Sequence, residues 1–542
     1  MYPLATGARA SFPAMQLRAE PLPIPARGTA GAGSFPLEPE AVAEWIARLD
    51  PLGSDADARE LLRGLVHSNR LHNDVERRRR ALACFVPPLR SLHERLADTA
   101  RAQPLPLTAD FERDRALAAD LLREESIAFR ALLVDADVPL EADARRAMQA
   151  LARLAELDAN AYRAIDPATL ADAHALWRHA ADTGLGTGDG AADDALATLG
   201  DHYRLILALA LADPRRHRAR QLPLLVAWLG REASRLVLER VPDAAVARAN
   251  LRAPGRWLVD LGTGDAPVPA GSLLAGDRPD LLSIDASGLV REARRRASGT
   301  RAGATSLPGA DTLERQTLSR LVAALGTPPG RRSARRFDDA PAELVFGVRQ
   351  VCARLLYGDG GDASEAAAHA VDAGGPGTPD PESPWRIADR SATGLQIVAR
   401  APRAGLVQVG ELVSVHERPG IPGRSEPDGD GTARHDLPIG IVRRVVTGRD
   451  GALHAGVELL ARQAIPVRVA REDGAQSVPE QALVVACRVA GRTLQTLLVP
   501  AFLYRRGDRL RVTRRGRSRE LELARCLQSN GLFSHYEIET DG

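Results

Sequence analysis

Two segments of this chain hold the residues best suited to grip a ligand: Arg331-Arg332-Ser333-Ala334-Arg335-Arg336-Phe337 and Asp389-Arg390-Ser391-Ala392-Thr393-Gly394. The first sets guanidinium groups four apart ahead of an apolar strand pattern, and the second has the form D-x-S-x-x-G at the start of another. Arginines offer forked donors to phosphate oxygens and a planar cation that stacks on a purine. A carboxylate and a hydroxyl hold the purine edge, and a glycine permits a tight turn or close backbone approach. A phosphodiester nucleotide needs both kinds of residue. Neither segment is specific alone, because the chain has no lysine and all 72 of its basic residues are arginine.

The pairing resembles the PilZ domain, a small β-barrel that binds cyclic di-GMP and whose signature is RxxxR followed by [D/N]xSxxG. The continuation fits that family: Val407–Val415, then Ile439–Arg444, then His454–Leu460 alternate as strands with interspersed glycines. The resemblance covers residues 331 to about 465, the length of one ordinary small domain. It implies that Arg332 and Arg336, with Arg331 as a preceding arginine, and Asp389, Ser391 and Gly394 hold the ligand. Arg331 and Arg335 are themselves four apart; Phe337 directly after Arg336 favours the register of Arg332 and Arg336. The motifs stand further apart than is usual in the family, and the excess is a Gly-, Ala-, Pro- and Asp-rich stretch, 357–384, expected as a flexible insertion.

What must position these residues is a chain of 542, long enough for about three or four domains. The expected fold is multidomain α + β: an N-terminal helical bundle or array, then a C-terminal PilZ-like antiparallel β-barrel with extra β-hairpins. Residues 1–37 are rich in Pro, Gly and Ala and read as a disordered leader. From residue 38 to about 250, apolar residues recur at helical spacing, as in Val42, Trp45, Ile46 and Leu49, or Leu225, Leu229, Ala233 and Leu236. Pro87-Pro88 are expected to break one helix. Residues 251–330 read as a small α/β or barrel-like module and linker, 331–470 as the barrel, and 471–542 as a β-hairpin extension.

Other motifs compete. Trp257–Ala266 resembles the first motif of Rossmann-like methyltransferases, with Asp285 where an acidic ribose ligand is sought, but Pro267, Pro269 and Gly271 interrupt the helix which that fold requires. Gly184–Gly190 follows a helix pattern where a phosphate loop requires a strand, and so reads as a linker. Arg77–Arg80 read as a solvated helix face, and the eight arginines from Arg505 to Arg519 as a solvated hairpin with few aromatics for stacking bases.

A net charge of +2 points to no nucleic-acid polymer as partner. Four scattered cysteines, without C-x-x-C or zinc spacing, read as free thiols of a cytoplasmic protein. No segment is apolar and long enough for an integral membrane span. No nucleophile elbow, zinc-protease motif or P-loop appears. The expectation is therefore a non-enzymatic bacterial cyclic di-GMP receptor, without metal or further cofactor, that couples binding to a protein partner through the helical region. Two alternatives stay open: a helical adaptor with a vestigial barrel, and a methyltransferase.

Overall fold

The computed structural model describes residues 22–28, 35–102, 105, 107–185, 198–241, 255–270, 280–299, 310–326, 334–357, 385–400, 407–417, 438–472, 478–489 and 491–539. The expectations for most of the leader, for Gly186–Gly190, for the linker 327–330, for Arg331 and Arg332, and for 358–384 lie outside them.

Helical periodicity in the first half resolves into α1 (Pro39–Ile46), α2 (Asp55–Asn69), α3 (Val75–Ala102), α4 (Ala109–Asp135), α5 (Glu141–Asn160), α6 (Pro167–Thr183), α7 (Leu199–Ala212) and α8 (Leu222–Glu232). α7 lies at the centre and nearly all of it is buried, which accounts for the apolar run from Leu205 to Ala212. Its start is set by a capping box in which Thr198 and Asp201 bind each other's backbone amides. α3 continues through Pro87 and Pro88, contrary to the expected break. Phe85, Leu89 and Leu92 on either side are all buried in the bundle core, and that packing outweighs the lost backbone bonds. The Arg77–Arg80 run is not a free cationic face either. Arg78 is buried and donates to the carbonyls of Ser68 and Leu71, while Arg77, Arg79 and Arg80 each face a carboxylate.

A four-stranded sheet follows, ordered β1-β4-β2-β3: β1 (Val237–Val241), β2 (Arg256–Asp260), β3 (Val268–Pro269) and β4 (Leu281–Asp285), flanked by α9 (Ser287–Ser298) and α10 (Ala310–Leu325). Its strands pair antiparallel, and the glycines after Asp260 lead into β3 rather than into a helix. A doubly wound nucleotide fold is therefore absent from the described residues. Gly264 has a packing reason instead, since a Cβ there would stand 2.1 Å from the Pro167 carbonyl oxygen. Trp257, Ile284, Leu289 and Leu321 belong to the same core as α2–α8, so the sheet is part of the helical unit.

The second half forms two barrels. β5 (Arg336–Phe346), β6 (Trp385–Ser391), β7 (Gly394–Ala399), β8 (Leu412–Glu417), β9 (Ile439–Thr447) and β10 (Leu453–Ala461) close in the order β10-β7-β6-β5-β8-β9. The hairpins expected as an extension close on their own: β11 (Ala464–Arg471), β12 (Glu480–Val489), β13 (Arg492–Pro500), β14 (Arg509–Arg514), β15 (Arg517–Ser529) and β16 (Phe533–Glu539) run β11-β12-β13-β16-β15-β14. β11, expected at the end of the first barrel, belongs to the second, because it pairs with β12 and β14. Between the barrels lies α11 (Val348–Tyr357), whose Val348, Val351 and Cys352 share one apolar cluster with Leu412 and Ile441 on one side and Leu483, Leu498 and Phe533 on the other.

Candidate functional site

Registry of the antiparallel strands places the two motifs side by side. Arg336 stands opposite Arg390, and Phe337 opposite Asp389. Directly opposed residues share a face of the sheet, so the outer row can be followed across four strands beyond Phe337. Asp389 faces Gln396 on β7, Gln396 faces Gly456 on β10, and Gly456 faces Arg444 on β9. The adjacent row, Ile387, Ile397, Ala455 and Val445, is fully buried in the barrel and shows which way is in.

The side chains on this row are already organised. Arg335 Nη1 donates to Asp389 Oδ2 at 2.7 Å and to Gln396 Oε1 at 3.0 Å. The Asp389 side chain is only 17% exposed, whereas that of Arg335 is 53% exposed, so the carboxylate is fixed in the wall and its partner can leave it. Phe337 is 90% exposed, an aromatic face with nothing covering it beside the carboxylate. Arg336 is exposed and makes no ion pair among the described residues. Arg390 opposite is compensated by Asp338 and Glu417. The Asp338 carboxyl is held below its ordinary range: partial burial pushes it up, and the Arg390 contacts outweigh that.

Ser391 and Gly394 have a shared structural task. The Ser391 hydroxyl donates to the Gly394 carbonyl at 3.1 Å across the turn between β6 and β7. A Cβ on Gly394 would lie 2.7 Å from the Val457 carbonyl oxygen, so only glycine lets β7 and β10 approach here. The turn presents Asp389 at a set height above the barrel wall.

Thus Asp389, Ser391 and Gly394 lie together; Arg336 begins the neighbouring strand, but its pairing with Arg390 sets it in the row of Leu395 and Val457, which alternates with that of Asp389. Arg331 and Arg332 lie outside the described residues. Of the two possible arginine registers, the contact with Asp389 is made by Arg335, a residue of the register not favoured from sequence. Sequence reasoning missed Gln396, Gly456 and Arg444, which carry no motif and are recruited only by strand registry.

The junction with the helical unit adjoins this face. The Thr447 amide donates to the Tyr162 carbonyl at 3.1 Å, the Tyr162 hydroxyl to the His217 carbonyl at 2.9 Å, and Arg218 Nε to the Val409 carbonyl at 2.9 Å. Asn530 of the second barrel donates to the Gly410 carbonyl at 2.8 Å, so three units meet there. Burial pushes the Glu411 carboxyl up to about 7, with Arg218 pulling it back. No cluster of metal-ligating residues occurs among the described residues.

Residues 40–243 match the family model of the N-terminal domain of the cyclic-di-GMP receptor FimW, and residues 465–540 match the FimW C-terminal β-barrel domain. Both belong to one family, and together they span more than half of the chain. The chain belongs to the FimW family. The FimW N-terminal match covers the helices up to β1 and its approach to the sheet, and the FimW C-terminal match coincides with the second barrel. The first barrel, with the arginine and D-x-S-x-x-G segments, lies between the two FimW matches. No curated protein and no solved structure matched.

Proposed function

We propose that this protein is a bacterial, cytoplasmic receptor for cyclic di-GMP that acts by binding and not by catalysis, and that nucleotide binding at the first barrel is relayed to a protein partner of the helical region. The observation that carries the reading is the convergence of two motifs 53 positions apart onto neighbouring hydrogen-bonded strands, with Arg335 held on Asp389. Membership of a family described as a cyclic-di-GMP receptor supports it. No helix among the described residues is long and apolar enough to cross a membrane.

In this reading the phosphates draw in Arg331, Arg332 and Arg336, the last of which is exposed at the start of β5 and makes no ion pair among the described residues. Asp389 exchanges its bond to Arg335 for the guanine edge, Phe337 offers its exposed ring for stacking, and Ser391 with Gly394 holds the turn. Because the junction of Tyr162, His217 and Arg218 adjoins the same barrel, a ligand that favours one arrangement of barrel and helices shifts the equilibrium by its differential affinity.

Titration calorimetry of the full chain with cyclic di-GMP tests this. Binding is expected in the wild type and is expected to weaken at least about tenfold in Arg336→Ala and in Asp389→Ala, the effect of removing one charged hydrogen-bonding group. Absence of binding in a folded wild type would leave the adaptor with a vestigial barrel as the better description.

A further inference from the structure

The outer row that begins at Phe337 and Asp389 ends at a cluster of arginines to which the motif assigns no role. Arg444, at the far end of the row, approaches Asp213 of the helical unit, its Nε 3.7 Å from Asp213 Oδ2. Asp213 also accepts from Arg215 Nε at 2.6 Å and faces Arg216 Nε at 3.1 Å. The Arg215–Arg216 turn packs against β9, so helical unit and barrel build the cluster jointly. Three guanidiniums thus surround one carboxylate. Its carboxyl lies below the ordinary value: burial pushes it up, and Arg215, Arg444 and Arg216 pull it down further. Arg444 Nε is buried and has no hydrogen-bond partner, which leaves one donor of the cluster unsatisfied by Asp213.

Between Gln396 and Arg444 the row carries only Gly456. A Cβ there would find its nearest neighbour, Arg444 Cβ, at an ordinary 3.7 Å, so this glycine is required neither by packing nor by a positive φ. Its effect is to leave the wall low between the Asp389 end and the arginine end. From Asp389 to Arg444 is three strand spacings, about 14 Å.

We propose that the nucleotide face extends over Gly456 into an anion subsite formed by Arg444, Arg215 and Arg216, and that Asp213 occupies this subsite as an internal competitor for a ligand phosphate. The inference rests on the cyclic di-GMP reading of the barrel. A phosphate that reaches Arg444 supplies the missing acceptor and displaces Asp213. Asp213 closes α7 in the left-handed region, at φ 43°, and leads directly into His217 and Arg218 of the junction. Displacement is thereby passed to the contacts that join the helical unit to both barrels.

Calorimetry of the full chain separates this from the parent reading. Asp213→Asn keeps a residue tolerant of the left-handed backbone while removing the charge, and is expected to bind cyclic di-GMP about tenfold more tightly. Gly456→Val is expected to fold with an unchanged Tm, since valine suits a strand and its Cβ meets Arg444 only at an ordinary contact distance, and to bind at least about tenfold more weakly. Hydrogen exchange at the amides of Asp213 to His217 is expected to quicken on adding the nucleotide. Wild-type affinity in both variants, with binding still lost in Asp389→Ala, overturns the extension and leaves the receptor reading standing. No binding by the wild type overturns both.

Discussion

The two barrels are both closed, six-stranded and antiparallel, and both carry many arginines outside, yet those arginines face different things. On the first barrel Arg335 meets Asp389 and Gln396, Arg390 meets Asp338 and Glu417, and Arg443 meets Glu458. On the hairpin of β14 and β15 in the second, Arg509 faces Glu522 at 3.9 Å. Arg505, Arg506, Arg511, Arg514, Arg515, Arg517 and Arg519 are exposed and have no ion-pair partner among the described residues. Arginine density alone therefore does not mark a site. The distinguishing features are a carboxylate fixed in the wall, a turn that sets its height, and a row of cross-strand neighbours with room above it. Fold identity between the barrels does not carry function across.

The comparison can be broken at its hinge first. Phe533 of the second barrel is buried in the cluster that α11 shares with the first. Phe533→Ala is expected to cost about 3–5 kcal/mol and to loosen both barrels together, read as lost hydrogen-exchange protection in β8 and β9 as well as in β12 and β13. Protection lost in the second barrel alone would show that the two are independent.

Glycines offer the next contrast. Gly394→Ala forces a Cβ against the Val457 carbonyl and is expected to cost about 2–3 kcal/mol in chemical denaturation. Gly516 in the β14–β15 turn has open space around it and φ +76°, so Gly516→Ala is expected to cost only the backbone strain, about 1 kcal/mol. Equal costs would mean that the β7–β10 approach is not tight.

One titratable group at each barrel is expected to respond oppositely to pH. Glu411, beside the first, is half-buried with its carboxyl near 7, above the unfolded value of 4.5, so its stabilising influence is complete below 4.5 and is lost as pH rises through about 7. His535, in the second, is buried and pushed down to about 4 from 6.5, so stability is complete above 6.5 and is lost as pH falls through about 4. Relative to wild type, the Tm of Glu411→Gln is expected to rise from pH 4.5 to 8, and that of His535→Gln to rise from pH 7 to 4. Parallel Tm curves for either variant and wild type would remove that group from the pH dependence.

The smallest effect is expected on the uncompensated arginines. Arg515→Glu, at an exposed turn, is expected to change stability by no more than about 0.5 kcal/mol and to leave cyclic di-GMP affinity unchanged. A loss of affinity would relocate the ligand to the second barrel.

Much of this was legible before any coordinates. Period-three-and-four spacing placed helices from Val42 to Leu236, and alternation with glycines placed the strands after Arg336. Closure of the second barrel was not legible. It depends on β13 pairing with β16 and β11 with β14, contacts distant in sequence that leave no local mark. The unbroken α3 shows the converse, a strong local signal at Pro87-Pro88 overruled by packing of Phe85 and Leu92.

By itself, the order of residue types determined that arginines precede an apolar strand, that an Asp/Ser/Gly turn opens a later one, and that helices come before both. Side-chain chemistry and local periodicity suffice for that much. Only the tertiary structure decided that Arg335 is the guanidinium on Asp389, that Gln396, Gly456 and Arg444 continue the same face, and that Asp213 reaches it from the helical unit. Those relations are set by strand registry and by the docking of separate units, and no short stretch of sequence encodes either.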